Sequence, residues 1–252
     1  IEGGVVEPLL GYWQRWDGIN YQFILENGYS QPWASAFFPL YPLLGRGLYL
    51  LSGMNSLAAL MVISNLAALF ALKLLYEIIE EDYGTSIARG GIAAALLLPT
   101  SFFLFAPYPT ALSMLFLLLA YRSARRNQFF FATLAGLATG LTHGTSIPMV
   151  LLLGFEAVRF LRRPGKKIFD WSVLLMPLSP LMGTTLFLAW RQSQGFPGYA
   201  YLLDSVWGRA FQWPWLSLMN LPNTFIDPYT RWSGWSDVLL LVISVVALVW
   251  GW

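Results

Sequence analysis

Long apolar runs separated by short polar segments dominate the pattern of hydrophobic and polar positions along the chain. A helix needs about 20 apolar residues, with roughly 17 tolerated, to cross the hydrocarbon core of a bilayer. Several runs approach that length, so the pattern predicts an all-α, polytopic membrane helical bundle that forms one transmembrane domain over residues 1–252. The candidate spans are 55–76, 89–106, 108–121, 129–143, 145–160, 171–190 and 237–252.

The run 37–53 is also apolar, but it contains Pro39, Pro42 and Arg46. Proline disrupts a helix interior, and a charged side chain is costly at the centre of a bilayer. These residues favour a helix that lies in the membrane interface, or a re-entrant segment, over a crossing helix. The crossing helix stays open as the alternative.

Composition supports a membrane protein. The 252 residues are 57% hydrophobic and 11% charged, with a mean hydropathy of +0.57, whereas soluble domains carry about 25% charged residues. The net charge is only +2, and because no basic face or arginine-rich arm occurs, we expect no nucleic-acid partner. The sequence has no cysteine, which excludes disulfides, zinc–thiolate sites and cysteine nucleophiles.

The two ends of the sequence predict a fragment. The chain begins at Ile1 without a start methionine and ends at Trp252 inside an apolar run. We therefore expect a longer polytopic protein, with at least one helix before residue 1 and a last helix that is cut short. The absence of an Asn-x-Ser/Thr sequon is compatible with a prokaryotic cell, and we expect a bacterial plasma membrane rather than an ER membrane.

The basic residues predict the orientation of the spans. Ten of the fifteen Lys and Arg lie near "YRSARR" (121–126), "RFLRRPGKK" (159–167) or the segment 73–89, and such residues collect in cytoplasmic loops. Placing both basic clusters inside also puts the loop 77–88 inside. The segment 1–53, with its interfacial helix, and the loop 191–236 then form the outer face.

Three other features have structural interpretations. Small residues every four positions along helix 129–143 and at its end predict close packing of a neighbouring helix. The acidic run 80–82 is interpreted as a solvated charged face, and Pro177 and Pro180 should kink the helix 171–190. The small residues are Ala132, Gly136, Gly140 and Gly144.

The candidate chemistry lies in "YWQRWDGINYQFILENGYS", residues 12–30. A carboxylate beside Trp16 at an apolar boundary is partly desolvated, so Asp17 is a candidate base. Arg15 is a fixed cation suited to a phosphate. In the simpler alternative, Trp16 anchors the loop and Asp17 pairs with Arg15. Flat surfaces of the kind that cover sugar rings are supplied by Trp13, Trp16, Tyr21 and Tyr29.

This stretch, followed by "AFFPLYPLL", resembles the first lumenal loop of the PIG-V type mannosyltransferases, which comprise the second GPI mannosyltransferase and its bacterial relatives among the GT-C glycosyltransferases. "PTSFFLFAPYPTALSMLF" and "SVWGRAFQWPW" resemble later segments of that family. Pro109 and Thr110 depart from its pattern, and Thr142 and His143 stand where relatives carry an Arg-Ser or similar pair. The matching positions in the first loop are Trp16, Asp17, Tyr21, Glu26, Gly28, Tyr29 and Phe37 to Pro42.

The resemblance implies a GT-C-like fold and an inverting hexosyltransferase, mannosyltransferase-like, that works at the non-cytoplasmic face. The donor would be a polyprenyl- or dolichyl-phosphate sugar, and the acceptor a glycan or glycolipid, in contact with membrane lipid. Asp17 would be the catalytic base. No Asp-x-Asp motif occurs, so we expect no metal and no cofactor. The candidate substrate-binding residues are Arg15, Trp16, Tyr21, Glu26, Tyr108, His143 and Arg209.

Some of these residues have competing interpretations. His143 suits a helix cap as well as a phosphate contact, and Arg209 suits a snorkelling loop arginine as well as the cation that meets the leaving phosphate. Glu26 suits a role in ordering the loop.

A lipid or sugar transporter or flippase would share the apolar spans. It should carry ionisable residues near the middle of its helices, and the predicted spans are nearly free of them. A purely structural subunit would not explain the ordered series of motifs.

Overall fold

The computed structural model describes residues 13, 15–144, 148–163 and 171–207, together with 216, 219, 238 and 242. These residues are helical or lie in turns, with no strand among them, which confirms the predicted all-α class. The chain divides into two compact units, 1–199 and 200–252. The α-helices are α1 (Asp17–Asn27), α2 (Leu40–Ser52), α3 (Ser56–Tyr83), α4 (Thr85–Leu97), α5 (Phe102–Phe105), α6 (Thr110–Arg125), α7 (Phe129–Thr142), α8 (Met149–Leu161), α9 (Trp171–Leu175), α10 (Ser179–Ser193) and α11 (Tyr199–Trp207).

Two described helices are long and apolar enough to cross a membrane: α3, and the continuous run Trp171–Ser193 formed by α9 and α10. The helix α4 and the segment Pro99–Phe105 make a third if they are one broken span. The helix α2 has 13 residues and a length of about 20 Å, so it is too short to cross a hydrocarbon core of about 30 Å. Crossing by the shorter helices α6, α7 and α8 stays a prediction, and the predicted span 237–252 lies outside the described residues apart from 238 and 242.

The predicted span 89–106 is not a single straight helix. The helix α4 ends at Leu97, and Leu98 is extended, with ψ 133°. Leu98 precedes Pro99, and proline disfavours the helical region for the residue before it. The chain therefore bends by 78° before the 3₁₀ turn Pro99–Ser101 and α5.

The predicted loop 77–88 is also shorter than expected. The helix α3 continues to Tyr83 and turns at Gly84, whose φ of 84° suits glycine. Glu81 and Asp82 are exposed, as predicted for a solvated face, and they also form ion pairs: Glu81 accepts from Arg122 at 2.9 Å and Asp82 accepts from Arg125 at 2.5 Å. These ion pairs to α6 stabilise the last turns of α3.

The predicted packing stripe on α7 is confirmed. A Cβ on Gly140 would lie 2.1 Å from the carbonyl oxygen of Pro180, and a Cβ on Gly136 would lie 2.1 Å from Ser179 Oγ. The backbones of α7 and α10 therefore meet directly and run in the same direction, because Gly136 lies opposite the start of α10 and Gly140 lies further along it. A 3₁₀ turn over Met176–Leu178 interrupts the α-helix where the kink was predicted.

Candidate active site

The helix α1 starts at Asp17 from a strained residue. Trp16 has φ 47° and ψ −129°, a positive φ that residues other than glycine rarely adopt, and the residue is 68% exposed. Such a conformation costs of order 1–3 kcal/mol and persists only where the surroundings impose it. The chain is tightly packed two residues later, since a Cβ on Gly18 would lie 3.0 Å from Pro107 Cγ.

The segment after the α4 bend holds the first turn of α1. The Tyr108 hydroxyl lies 3.5 Å from the Arg15 carbonyl oxygen and also contacts the backbone of Asp17 and Gly18. Trp13 stacks on Phe102 with ring centroids 5.4 Å apart. The break at Leu98, which the sequence analysis missed, therefore brings Tyr108 to the candidate base.

A buried polar network fixes Tyr108 in turn. The Tyr41 hydroxyl of α2 lies 3.0 Å from the Leu60 carbonyl oxygen and 2.8 Å from Ser64 Oγ of α3. Ser64 Oγ lies 3.1 Å from the Tyr108 carbonyl oxygen, to which it donates. Buried polar groups of this kind are costly unless they are paired, so the network defines one arrangement of α2, α3 and the turn before α6.

Tyr21 lies inside the core. Its ring meets the rings of Phe37 and Tyr41 edge to face, with centroids 5.1 Å apart in both cases. Burial raises the pKa of the Tyr21 hydroxyl well above its ordinary value, and the Asp17 carboxylate raises it further, so the phenol stays neutral. The structure thus gives Tyr21 a packing position beside Asp17 rather than an open surface for a sugar.

Glu26 lies at the other end of α1. It accepts hydrogen bonds from Ser56 Oγ and from Gln22 Nε2, the latter at 3.0 Å. Asp17 and Glu26 are about 13 Å apart along the helix axis. The structure therefore does not bring Glu26 to the candidate base, and its contacts join α1 to the first residue of α3.

Two of the predicted residues lie within electrostatic range of Asp17. The Asp17 carboxylate acts electrostatically on both Tyr108 and His143, the latter lying directly after the end of α7. Arg15 is exposed, and no ion pair within 4 Å joins it to Asp17, although both are described. The alternative in which Arg15 and Asp17 pair is therefore not supported. The remaining candidate, Arg209, lies outside the described residues.

Asp17 is half-buried in the first turn of α1, where the helix dipole favours a negative charge. Asn20 Nδ2 lies 3.5 Å from Asp17 Oδ1. Among the described residues, no cation forms an ion pair with this carboxylate, and no group of three or more His, Asp or Glu could hold a metal ion. A carboxylate in this state can orient a hydroxyl and accept its proton.

Arg191 is a further cation of interest that is not among the candidate residues predicted from the sequence. Arg191 is buried in the last turn of α10, and its burial depends on contacts with residues distant in the sequence. The only available signal was that Arg191 lies outside both basic clusters.

Comparison with known proteins gives one relative. The chain is 31% identical to the GPI alpha-1,6-mannosyltransferase 2 of Cricetulus griseus over an alignment of 188 residues that covers 70% of this chain. The chain spans 36% of that relative's length. No family model matches, and no solved structure matches. The similarity supports the relationship to PIG-V-like mannosyltransferases that the first-loop motif implies.

Proposed function

We propose that this chain forms part of a membrane glycosyltransferase of the mannosyltransferase type. In this proposal it transfers a hexose, with inversion, from a polyprenyl- or dolichyl-phosphate sugar to a glycan or glycolipid acceptor at the non-cytoplasmic face. The similarity to a GPI mannosyltransferase supports the reaction class. Donor, acceptor and face rest on the first-loop resemblance and on the site.

The observation that carries the proposal is the position of Asp17. Its carboxylate begins a helix, has no ion-pair partner among the described residues, and lies in the same electrostatic neighbourhood as Tyr108 and His143. A carboxylate that served only to stabilise the fold would be expected to pair with a cation, as Asp82 does with Arg125.

The proposed chemistry is a single displacement. An acceptor hydroxyl donates its proton to Asp17 while its oxygen forms a bond to the anomeric carbon. The bond between that carbon and the lipid phosphate oxygen breaks, and the phosphate leaves with the electron pair. Attack from the face opposite the leaving group gives inversion.

The leaving phosphate needs donors or cations that are already in place. Tyr108 and His143 are the candidates near Asp17, Arg15 is an exposed cation two residues before it, and Arg209 remains a candidate from the motif alone. Loss of one such contact should cost roughly 3–4 kcal/mol of transition-state stabilisation.

The exposed Trp16 indole is the candidate surface for a sugar ring, since an aromatic face covers the apolar side of a pyranose. The strained φ of Trp16 supports a functional reason for this residue, because strain of this kind clusters at functional sites.

The test is a transfer assay with the full-length enzyme in proteoliposomes. Mannose transfer is measured from polyprenyl-phosphate mannose and, separately, from a nucleotide-linked mannose with a divalent cation. We expect transfer from the lipid-linked donor alone, and we expect Asp17→Asn to lower kcat by at least about a hundredfold, since general acid–base catalysis contributes about 10²–10⁴-fold.

Glu26→Gln is the matched control, since it changes a carboxylate on the same helix away from the candidate base. It should retain most of the activity. Robust transfer by folded Asp17→Asn protein would remove Asp17 from the mechanism, and transfer from the nucleotide-linked donor alone would overturn the donor class.

A further inference from the structure

Arg191 is a buried cation without a carboxylate partner. Its side chain lies in the last turn of α10 and the residue is 3% exposed. The Nη2 group donates to Ser35 Oγ and to the Pro197 carbonyl oxygen, both at 3.1 Å, and the guanidinium lies 5.0 Å from the centre of the Tyr199 ring. Its Nε atom is buried without a hydrogen-bond partner in the described part of the chain.

This arrangement leaves a full positive charge uncompensated. Arginine stays protonated in proteins, and burying a charge without a counter-ion costs several kcal/mol. Every acceptor described for Arg191 is a neutral oxygen, and no ion pair to Arg191 exists among the residues that the structure describes. Part of the cost is offset by the hydrogen bonds and by the Tyr199 ring, but the counter-charge itself has to come from outside the described chain.

Arg122 is the internal reference. Its Nε is also buried without a partner, yet its other nitrogens bind the carboxylates of Glu77 and Glu81, although the Arg122 side chain is 20% exposed. The more exposed arginine therefore has two acidic partners, and the more buried arginine has none. This contrast points to a ligand anion at Arg191.

Arg191 lies at the same end of the bundle as the candidate base. The helices α7 and α10 run in the same direction, and Gly183 of α10 packs against Gly140 and Leu141 near the end of α7. Arg191 lies about 12 Å further along α10, beyond the end of α7 that carries His143. Phe38 connects the segment after α7 to α10. Its ring lies 5.0 Å from the Phe187 ring of α10, and a Cβ on Gly144 would lie 3.2 Å from the same ring. His143, in turn, lies within the electrostatic reach of Asp17.

The surroundings of Arg191 indicate the kind of anion. Aromatic rings line its side of α10: Tyr29 lies 5.0 Å from Trp190, and Trp190 stacks on Phe187 at 5.7 Å. Trp190 is partly exposed, so this aromatic surface is continuous with the exterior. A lone guanidinium beside an apolar, aromatic surface suits a phosphate that carries a hydrocarbon chain better than a free phosphate or a nucleotide.

A ligand can reach the guanidinium through the segment after α10. Pro197 supplies one of its two acceptors from a loop in which Gln194, Gly195 and Gly198 are exposed, and a Cβ on Gly198 would meet nothing within 4 Å. A phosphate oxygen that replaces the Pro197 carbonyl would engage Nη2, and a second oxygen would satisfy Nε. This two-pronged geometry is the one that arginine offers to phosphate.

We propose that Arg191 binds the phosphate of a prenyl-phosphate ligand, with the hydrocarbon chain against the exposed Trp190 ring and the half-buried Tyr29 ring, both of which pack on the buried Phe187. That this ligand is the sugar donor, or the lipid phosphate left after transfer, rests on the proposed function. The binding site itself rests on the contacts of Arg191.

The test measures binding without turnover. Full-length protein in phosphatidylcholine nanodiscs is titrated with farnesyl phosphate, farnesol, inorganic phosphate and, in a separate preparation, phosphatidic acid, and Kd and Tm are recorded. We expect farnesyl phosphate to bind and to raise Tm, and the other three to bind at least about tenfold more weakly. Arg191→Gln should weaken farnesyl phosphate binding at least about tenfold and remove its preference over farnesol.

Arg46→Gln is the matched control, because Arg46 is an exposed arginine of α2 that stands outside the proposed site. It should bind as the wild type does. Arg191→Lys keeps the charge but lacks the two-pronged geometry, so it should bind with intermediate affinity and gives a folded variant if Arg191→Gln does not fold.

An unchanged preference for farnesyl phosphate over farnesol in folded Arg191→Gln protein, or in Arg191→Lys protein if only that variant folds, would overturn the proposal. Equal binding of phosphatidic acid or inorganic phosphate would overturn the assignment to a prenyl phosphate. Arg191-dependent binding in an enzyme that transfers no sugar would leave the binding site standing and remove the proposed function.

Discussion

In the described part of the chain, charged residues form ion pairs at one end of the bundle and lack ion-pair partners at the other. At the C-terminal end of α3, Glu77, Glu81 and Asp82 meet arginines of α6 in a network of ion pairs. At the other end of the bundle, Asp17 and Arg191 have no ion-pair partner among the described residues. Ser64 of α3 marks the unpaired end, because its hydroxyl donates to the Tyr108 carbonyl oxygen. Glu77 marks the paired end, and the rise of the helix from Ser64 to Glu77 is about 20 Å.

This difference separates charge that stabilises the fold from charge that awaits a ligand. An ion-pair network at the rim of a helical bundle fixes how helices meet, although each exposed pair contributes little. A buried guanidinium without a counter-ion costs stability, whereas the half-buried Asp17 carboxylate is left free to act on a ligand. Their retention at one end makes that end the candidate reaction end, and the paired end the structural one.

The largest expected effect on stability comes from reversing a charge at the paired end. Arg125 binds both carboxylate oxygens of Asp82, at 2.6 and 2.5 Å. Asp82→Arg places two guanidiniums against each other, so we expect Tm to fall by several degrees in detergent. The double variant with Arg125→Asp should recover most of the loss, and the activity per folded molecule should stay within about twofold of the wild type, since neither residue lies near Asp17.

If the single variant instead lost activity without losing stability, the paired end would be part of the active site. The measurement is fluorescence-detected size-exclusion chromatography after heating, together with the transfer assay.

The second prediction concerns Trp16. Trp16→Ala and Trp16→Gly both remove the exposed indole, and we expect both to lower kcat/KM about tenfold. Only glycine relieves the positive φ, so Trp16→Gly should be more stable than Trp16→Ala by about 1 kcal/mol, or about 2–4 °C in Tm. Equal Tm values for the two variants would show that the backbone of Trp16 is not strained.

A smaller effect is expected from Tyr41→Phe, which removes the hydroxyl that binds Ser64 and the Leu60 carbonyl. We expect a loss of about 1 kcal/mol in the free energy of unfolding, and a lower kcat because Ser64 also holds the turn that carries Tyr108.

Tyr76→Phe is the matched control at the paired end, where the Tyr76 hydroxyl donates to Glu80 at 2.9 Å. It should leave kcat unchanged. A kcat reduction of the same size in both variants would contradict a special role for the network around Tyr108.

The smallest effect is expected from Ser56→Ala, which removes the hydroxyl that donates to Glu26. Glu26 is exposed, so we expect a change of about 0.5 kcal/mol or less in the free energy of unfolding and no change in kcat. A marked loss of activity, measured in the same transfer assay, would show that the Glu26 end of α1 contributes to substrate binding.

The helical class could be predicted from the sequence because apolar run length responds directly to the bilayer. The small-residue stripe of α7 was also readable, since a missing side chain has one packing consequence on a helix. The length of α3 could not be read, because its last turns depend on arginines of α6 that lie more than forty residues away. The break at Leu98 had a local signal in Pro99, which the hydrophobicity of the run outweighed.

The candidate site was only partly predictable. Asp17 stood out through its tryptophan neighbours and through the family resemblance. The burial of Tyr21 and the tie between Glu26 and Ser56 depend on α2 and α3, which no local pattern reveals. The burial of Arg191 could not be predicted from the sequence, because its contact with Ser35 joins residues 156 positions apart.

The most direct measurement is the location of the bound lipid phosphate. Full-length protein in nanodiscs is irradiated with a photoreactive polyprenyl-phosphate sugar, and the labelled peptides are identified by mass spectrometry with and without excess farnesyl phosphate. We expect competable labelling within residues 15–38 and 186–199, the segments that contain Asp17 and Arg191. Competable labelling confined to residues 73–83 and 121–126, at the ion-paired end, would contradict it.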